Sequence, residues 1–309
     1  MKRDKIKEIQ HSAIVFVAAC FIFCSISTAK AETFCVQTSS ALQSALNTAA
    51  NNGEADEIQI VQGTYTGNFT YETQEEYKLS VKGGYASGCT SRVVNASNTV
   101  LDGNSAGTVL MVDSVERADF ECEGVTFQNG SAERGGGLRI VSQTGNVTLS
   151  NNLVSGNRAT EFGGGISTYS NGTITLTNNT ISNNESDGYA GAASIHGSSA
   201  GEGTLVLTAN TIKGNTADGA VGGLWTGCGS VSLINNLFYN NSAVWYHGAI
   251  LIDGSSSTRV INNTISGNYA EGVGAGLTIQ MDEDSDRADV YNNIIYNNSG
   301  YYEAEVSPK

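Results

Sequence analysis

A nine-residue phrase recurs six times in this chain and leaves few folds open to it. The phrase is an apolar residue, a variable one, Asn-Asn, one residue, an apolar residue, two residues and Asn. It reads Leu149-Ser-Asn-Asn-Leu-Val-Ser-Gly-Asn157, then Leu176-Thr-Asn-Asn-Thr-Ile-Ser-Asn-Asn184. It returns at 207–215, where Ala209 replaces the first Asn, and at 233–241, 260–268 and 290–298. The second Asn of each pair falls at Asn152, Asn179, Asn210, Asn236, Asn263 and Asn293, at intervals of 27, 31, 26, 27 and 30 residues. A period that drifts yet never loses phase marks a solenoid, with its insertions held in one loop of each turn.

A second ladder keeps the same phase. Gly-rich segments lead into apolar residues at Leu138, Ile166, Ile195, Leu224, Ile250 and Leu277, with Leu110 as the same element one turn earlier. Their spacings are 28, 28, 29, 29, 26 and 27. Period-2 alternation over four to six residues reads as strand. Two or three such strands per turn, stacked in parallel, predict an all-β chain: a single-stranded right-handed parallel β-helix, its hand set by crossover chirality. Asn suits the corners, because it tolerates left-handed backbone and its amide can bond its neighbour one rung away, at roughly 4.8 Å. The single proline, Pro308, fits a backbone whose N–H groups are spent on ladders.

The termini divide the chain further. Lys2, Arg3, Lys5 and Lys7 precede an apolar stretch over 12–26, and Ala29-Lys30-Ala31 is a small-x-small cleavage site. Residues 1–31 therefore read as a Sec signal peptide cleaved after Ala31, giving a secreted or cell-surface protein. Val17-Ala18-Ala19-Cys20 is the rival reading, a lipoprotein box that would lipidate Cys20. Residues 32–57 predict a cap with a short helix, N-capped by Ser39 or Ser40. Its apolar face is Ala41, Leu42, Ala45, Leu46 and Ala49, with Gly53 as the stop. Rungs run over 58–300 and a short tail over 301–309, and no mature segment is apolar enough to cross a membrane.

The signal carries five basic and two acidic side chains, so the remainder has 11 basic against 28 acidic, a net charge of −17. That charge excludes nucleic acid as a partner and disfavours polyanionic glycans without a bridging divalent cation. Of the four mature cysteines, Cys35 and Cys89 share the N-terminal region and are expected to pair. Cys122 and Cys228 lie four rungs apart, roughly 19 Å, beyond disulfide reach.

The blocks Leu42-Gln43 to Leu46, Gly63-Thr64-Tyr65, Gly83-Gly84-Tyr85, Cys89-Thr90-Ser91-Arg92 and Leu101-Asp102-Gly103 carry a resemblance. They resemble the start of secreted bacterial β-helix proteins of the pectate-lyase-like superfamily, in particular the choice-of-anchor Q group. Gly248-Ala249-Ile250 and the Phe238 to Asn241 segment are similar to repeats of chlamydial polymorphic outer-membrane proteins. The resemblance implies a secreted or surface location and, for many members, no assigned activity. The group's usual C-terminal anchor is missing from 301–309, so the expectation is a released protein or a truncated frame.

The outer strand face is where a β-helix can present chemistry. With Leu138 and its mates inward, the next residue points out: Met111, Arg139, Ser167, His196, Trp225, Leu251 and Thr278. Two residues on lie Asp113, Val141, Tyr169, Ser198, Gly227, Asp253 and Gln280. Asp113 and Asp253 stand five rungs apart, roughly 24 Å, far beyond the about 5–9.5 Å of a glycosidase pair; loop carboxylates such as Glu161 stay open. Arg139 is the one cation on this face, with no acidic cluster beside it. The aromatic candidates are Trp225, His196 and Tyr169, with the Trp245-Tyr246-His247 loop and Tyr189 entering from the side. Flat rings with polar edges suit a polysaccharide, a cell-surface glycan or a protein partner; the competing reading is that they merely cover the solenoid. Asp282, Asp284 and Asp286 could hold Ca²⁺, though without the spacing of a calcium loop. The functional expectation is non-enzymatic adhesion or glycan binding; the alternative is a polysaccharide lyase or another carbohydrate-active enzyme.

Overall fold

The computed structural model describes residues 31–115, 117–198, 201–281, 286–301 and 306–308. Residues 1–30, which hold nearly all of the expected signal peptide, lie outside the described residues. The chain winds as an all-β parallel solenoid of about 10 turns. Among the described residues every ladder between strands is parallel, from Glu32 opposite Asp56 at one end to Ile279 opposite Pro308 at the other.

Each regular turn carries four short strands, where the sequence predicts two or three. The turn at 147–169 is representative: Val147–Ser150, Leu153–Ser155, Arg158–Phe162 and Ile166–Tyr169. Stacking over successive turns gives four sheets of ten, nine, seven and nine strands among the described residues. The strands missed from sequence are those of the third sheet, which shrink to two residues, as at Glu185–Ser186. Two residues carry no readable alternation.

The inward positions fuse into one apolar column. Leu138, Ile140, Val147, Leu149 and Val154 belong to it within one turn, each almost wholly buried. Cys122 and Cys228 are free and buried in it, and burial pushes both thiols up, Cys228 to about 11. Cys35 and Cys89 are bonded, with Cα atoms 5.9 Å apart.

The helix runs over Ser39–Ala49 and buries Leu42, Ala45, Leu46 and Ala49, as the pattern predicts. Its N-cap is Thr38 rather than Ser39 or Ser40: the Thr38 hydroxyl accepts from the Ala41 N–H at 3.1 Å. Three consecutive hydroxyl residues left the sequence ambiguous by one step. The cap also contributes Glu32–Val36 as the first strand of the ten-stranded sheet, so the ladder begins before residue 58.

The Asn residues divide two jobs that the sequence assigned to one. The first Asn of each pair is left-handed: φ is 54° at Asn151, 55° at Asn178, 57° at Asn235 and Asn262, and 58° at Asn292. The second is buried and forms the ladder. Asn179 Nδ2 donates to Asn210 Oδ1 at 3.1 Å, Asn210 to Asn236 at 3.0 Å and Asn236 to Asn263 at 3.0 Å. Each Oδ1 also accepts a backbone N–H from the rung before, and each Nδ2 also donates to a backbone carbonyl, as Asn210 does to Leu176 O at 2.8 Å. A second ladder of the same kind follows one strand later, through Asn157, Asn184, Asn215, Asn241, Asn268 and Asn298.

Ala209 tests the division of labour. It keeps the left-handed conformation, φ 56°, with none of the tolerance of Asn. Left-handed backbone costs an ordinary residue about 1–2 kcal/mol, so Ala209→Asn is expected to stabilise the protein by about 1 kcal/mol in denaturant melts. Asn210→Ala, one position on, is expected to cost about 3 kcal/mol or more, because it strips an acceptor from two buried donors of Asn179. Equal effects at the two positions would contradict the separate roles.

Candidate functional site

The outward face of the fourth sheet carries the aromatic residues. Pairing there runs Ile166 to Ala193 to Leu224, Ser167 to Ser194 to Trp225, and Tyr169 to His196 to Gly227. This corrects one rung of the expected column. Ala193, not Ile195, takes the inward place of Ile166, because a small residue satisfies the core there. His196 therefore stands in the column of Tyr169 and Gly227, and Ser198 is not in that column. The 31-residue turn spends its extra residues between His196 and Thr204, after the strand. His196 still points outward and meets Trp225 diagonally.

The glycine-rich corner before this sheet brings in a second row of side chains. Four residues before each strand stand Arg134, Phe162, Tyr189, Ala220 and Tyr246. Phe162 was missed from sequence, although counting back four residues from Ile166 and Ala193 aligns it with Tyr189. The rings stack at 5.9 Å between centroids. Ala220 leaves a gap in this row, and Trp225 tilts into it, 5.8 Å from Phe162 and 5.5 Å from Tyr189. Beneath Trp225 lie Ala220, Val221 and Leu251. Val221 has φ 66°, a left-handed conformation that a β-branched residue rarely adopts and that costs about 1–3 kcal/mol. The strained backbone places its side chain as a platform for the indole.

His196 completes the cluster. Its ring stands edge-on to Trp225 at 4.6 Å and stacks on Tyr169 at 5.9 Å. One ring nitrogen, Nε2, is 3.1 Å from Ser194 Oγ. Gly227 makes room for the ring: a Cβ there would lie 2.8 Å from Nδ1. Five rings thus run without a break from Tyr169 to Phe162. Phe162, Tyr169, His196, Trp225, Gly227 and Asp253 line a cleft of about 410 Å³.

The Trp245-Tyr246-His247 loop does not join this cleft. Trp245 and Tyr246 are half-exposed and line a separate hollow of about 370 Å³ with Glu271 and Tyr301. His247 is buried, its Nδ1 2.9 Å from Thr278 Oγ1. The Ala220 gap is what divides the two groups.

The charged candidates fall elsewhere. Glu161 is tied to Arg134, N to O 2.9 Å, and Arg134 lies 5.0 Å over the Phe162 ring. Arg139 and Arg134 line a neighbouring hollow with Glu133. Asp282 and Asp284 lie outside the described residues, and among the described residues no three His, Cys, Asp or Glu side chains gather as a metal site.

Burial lowers the pKa of His196 to about 4. Its folded value then lies below the ordinary value of about 6.5, so the unfolded state binds more protons between those pH values. Stability that is present above pH 6.5 should be lost as pH falls toward 4. NMR titration of the imidazole protons should show a midpoint near 4, and His196→Gln should flatten stability across that window. A midpoint above 6 would mean the ring is solvated rather than packed.

A family model described as right handed beta helix region matches residues 164–302. No curated protein and no solved structure matches the chain. Among the described residues no helix is long and apolar enough to cross a membrane. The matched segment spans the most regular rungs, and together with the parallel solenoid it supports the right-handed β-helix superfamily.

Proposed function

We propose that this chain is a secreted or surface-exposed β-helix protein that binds glycans without turning them over. The observation that carries this reading is the unbroken run of five rings over adjacent rungs, four of which line a cleft of about 410 Å³. Aromatic faces take the apolar faces of sugar rings, while polar edges meet hydroxyls. Side chains stacked along a rigid solenoid arrive preorganised, so little entropy is lost on binding. Among the described residues, Asp253 is the one carboxylate lining the cleft. Asp113, a carboxylate of the same column, sits five rungs away, too far to act as its glycosidase partner.

The test is a panel of neutral, amino and acidic polysaccharides, assayed for retention, reducing ends and unsaturated products, with and without Ca²⁺. Retention without product is expected for the wild type. Trp225→Ala should abolish retention at a stability cost of about 1–3 kcal/mol, because the indole rests on an outer apolar platform rather than in the main core. Turnover of any polymer would replace this reading with the lyase or hydrolase one.

A further inference from the structure

We propose that the cleft selects an amine-bearing sugar, a hexosamine unit with its nitrogen as ammonium, held between the aromatic rings and Asp253. The proposal rests on the glycan-binding reading and names the chemical class that the same site takes.

Three features of the lining converge on a cation. Trp225 lines the cleft one rung before Asp253, with Tyr169 and Phe162 further along the same wall, and an aromatic face attracts a cation within about 6 Å of its centroid. Among the described residues that line the cleft, Asp253 carries the one formal charge, and it is negative. It stands next to Gly227 in the outward column, on the rung after Trp225, so aromatic surface and carboxylate are one rung apart, roughly 4.8 Å along the axis. His196 adds no opposing charge, since burial keeps it neutral at ordinary pH.

The surrounding charge points the same way. Arg134, which lies 5.0 Å over the Phe162 ring, is not among the lining residues and is paired with Glu161 and Glu133. A uronate would bring its carboxylate against Asp253 and into a chain of net charge −17 after the signal segment. An N-acetylated hexosamine has the same ring but no charge. It would keep the stacking and lose both the cation–ring attraction and the ion pair.

The experiment is calorimetric titration of the full exported chain with oligomers of glucosamine, N-acetylglucosamine, glucose and galacturonate, all of one length. Glucosamine oligomers are expected to bind at least about tenfold tighter than their N-acetylated counterparts. In Asp253→Asn, checked by its melt, that preference should fall to near parity. A competition arm does not depend on the variant: choline should displace the glucosamine oligomer, and its uncharged isostere 3,3-dimethylbutanol should not. Equal affinity for the charged and acetylated oligomers, or equal displacement by choline and its isostere, overturns the amine proposal and leaves glycan binding standing. No binding of any oligomer removes both.

Discussion

Everything in this molecule is keyed to the side-chain amide of the ladder asparagines. A buried primary amide has two acceptor sites and two donor hydrogens, and each left open in the core carries a penalty of about 1–3 kcal/mol. Here the neighbouring rungs satisfy them: one amide and one backbone N–H from the rung before, one amide oxygen on the rung after, and one backbone carbonyl. The requirement is reciprocal. A rung that slips by one residue breaks its own bonds and those of both neighbours. Two ladders, one strand apart, fix the register twice per turn. Apolar burial drives the collapse of this chain; the amides decide which residue stacks on which.

Register fixed at two corners frees the remainder of each turn. Departures from the common 26–27 residues have to go where no ladder runs. The 31-residue interval places its extra residues between His196 and Thr204, after the strand of the fourth sheet. The 30-residue interval places its extra residues at the equivalent corner, between Gln280 and Arg287, where the acidic run lies. Both insertions therefore fall at one corner of the solenoid, and the first contributes Gly197 and Gly201 to the wall of the aromatic cleft.

This explains what could be read from the residues and what could not. One stacked Asn corner, the parallel stacking and the buried face of the helix were legible because each is a repeated or periodic local demand; the second Asn ladder, one strand later, was not separated from the first. His196 was placed one column off because Ala193 and Ile195 are both apolar and both flank Ser194; only the hydrogen-bonded register separates them. Phe162 was hidden because it precedes the strand rather than lying in it. The junction of Trp225 with Phe162 and Tyr189 depends on Ala220 leaving a gap, and a missing side chain gives no signal in a single turn. The separation of Trp245 and Tyr246 from Trp225 has the same origin.

The glycine-rich corner is where the fold and the candidate site meet. Its left-handed position is filled by Gly135 and Gly163 on early rungs, but by Ala190, Val221 and His247 on the three that follow. Each non-glycine residue there carries a backbone cost that the ladders are able to hold. What is gained is a side chain projecting over the outward strand: Val221 under Trp225, and His247 against Thr278. Since neither Asn ladder passes through this corner, the strain does not disturb the register. The outer surface can thus be rebuilt rung by rung while the amides keep the stack in place, and the cleft runs from the glycine-cornered rung of Phe162 and Tyr169 onto the rebuilt rungs of His196 and Trp225.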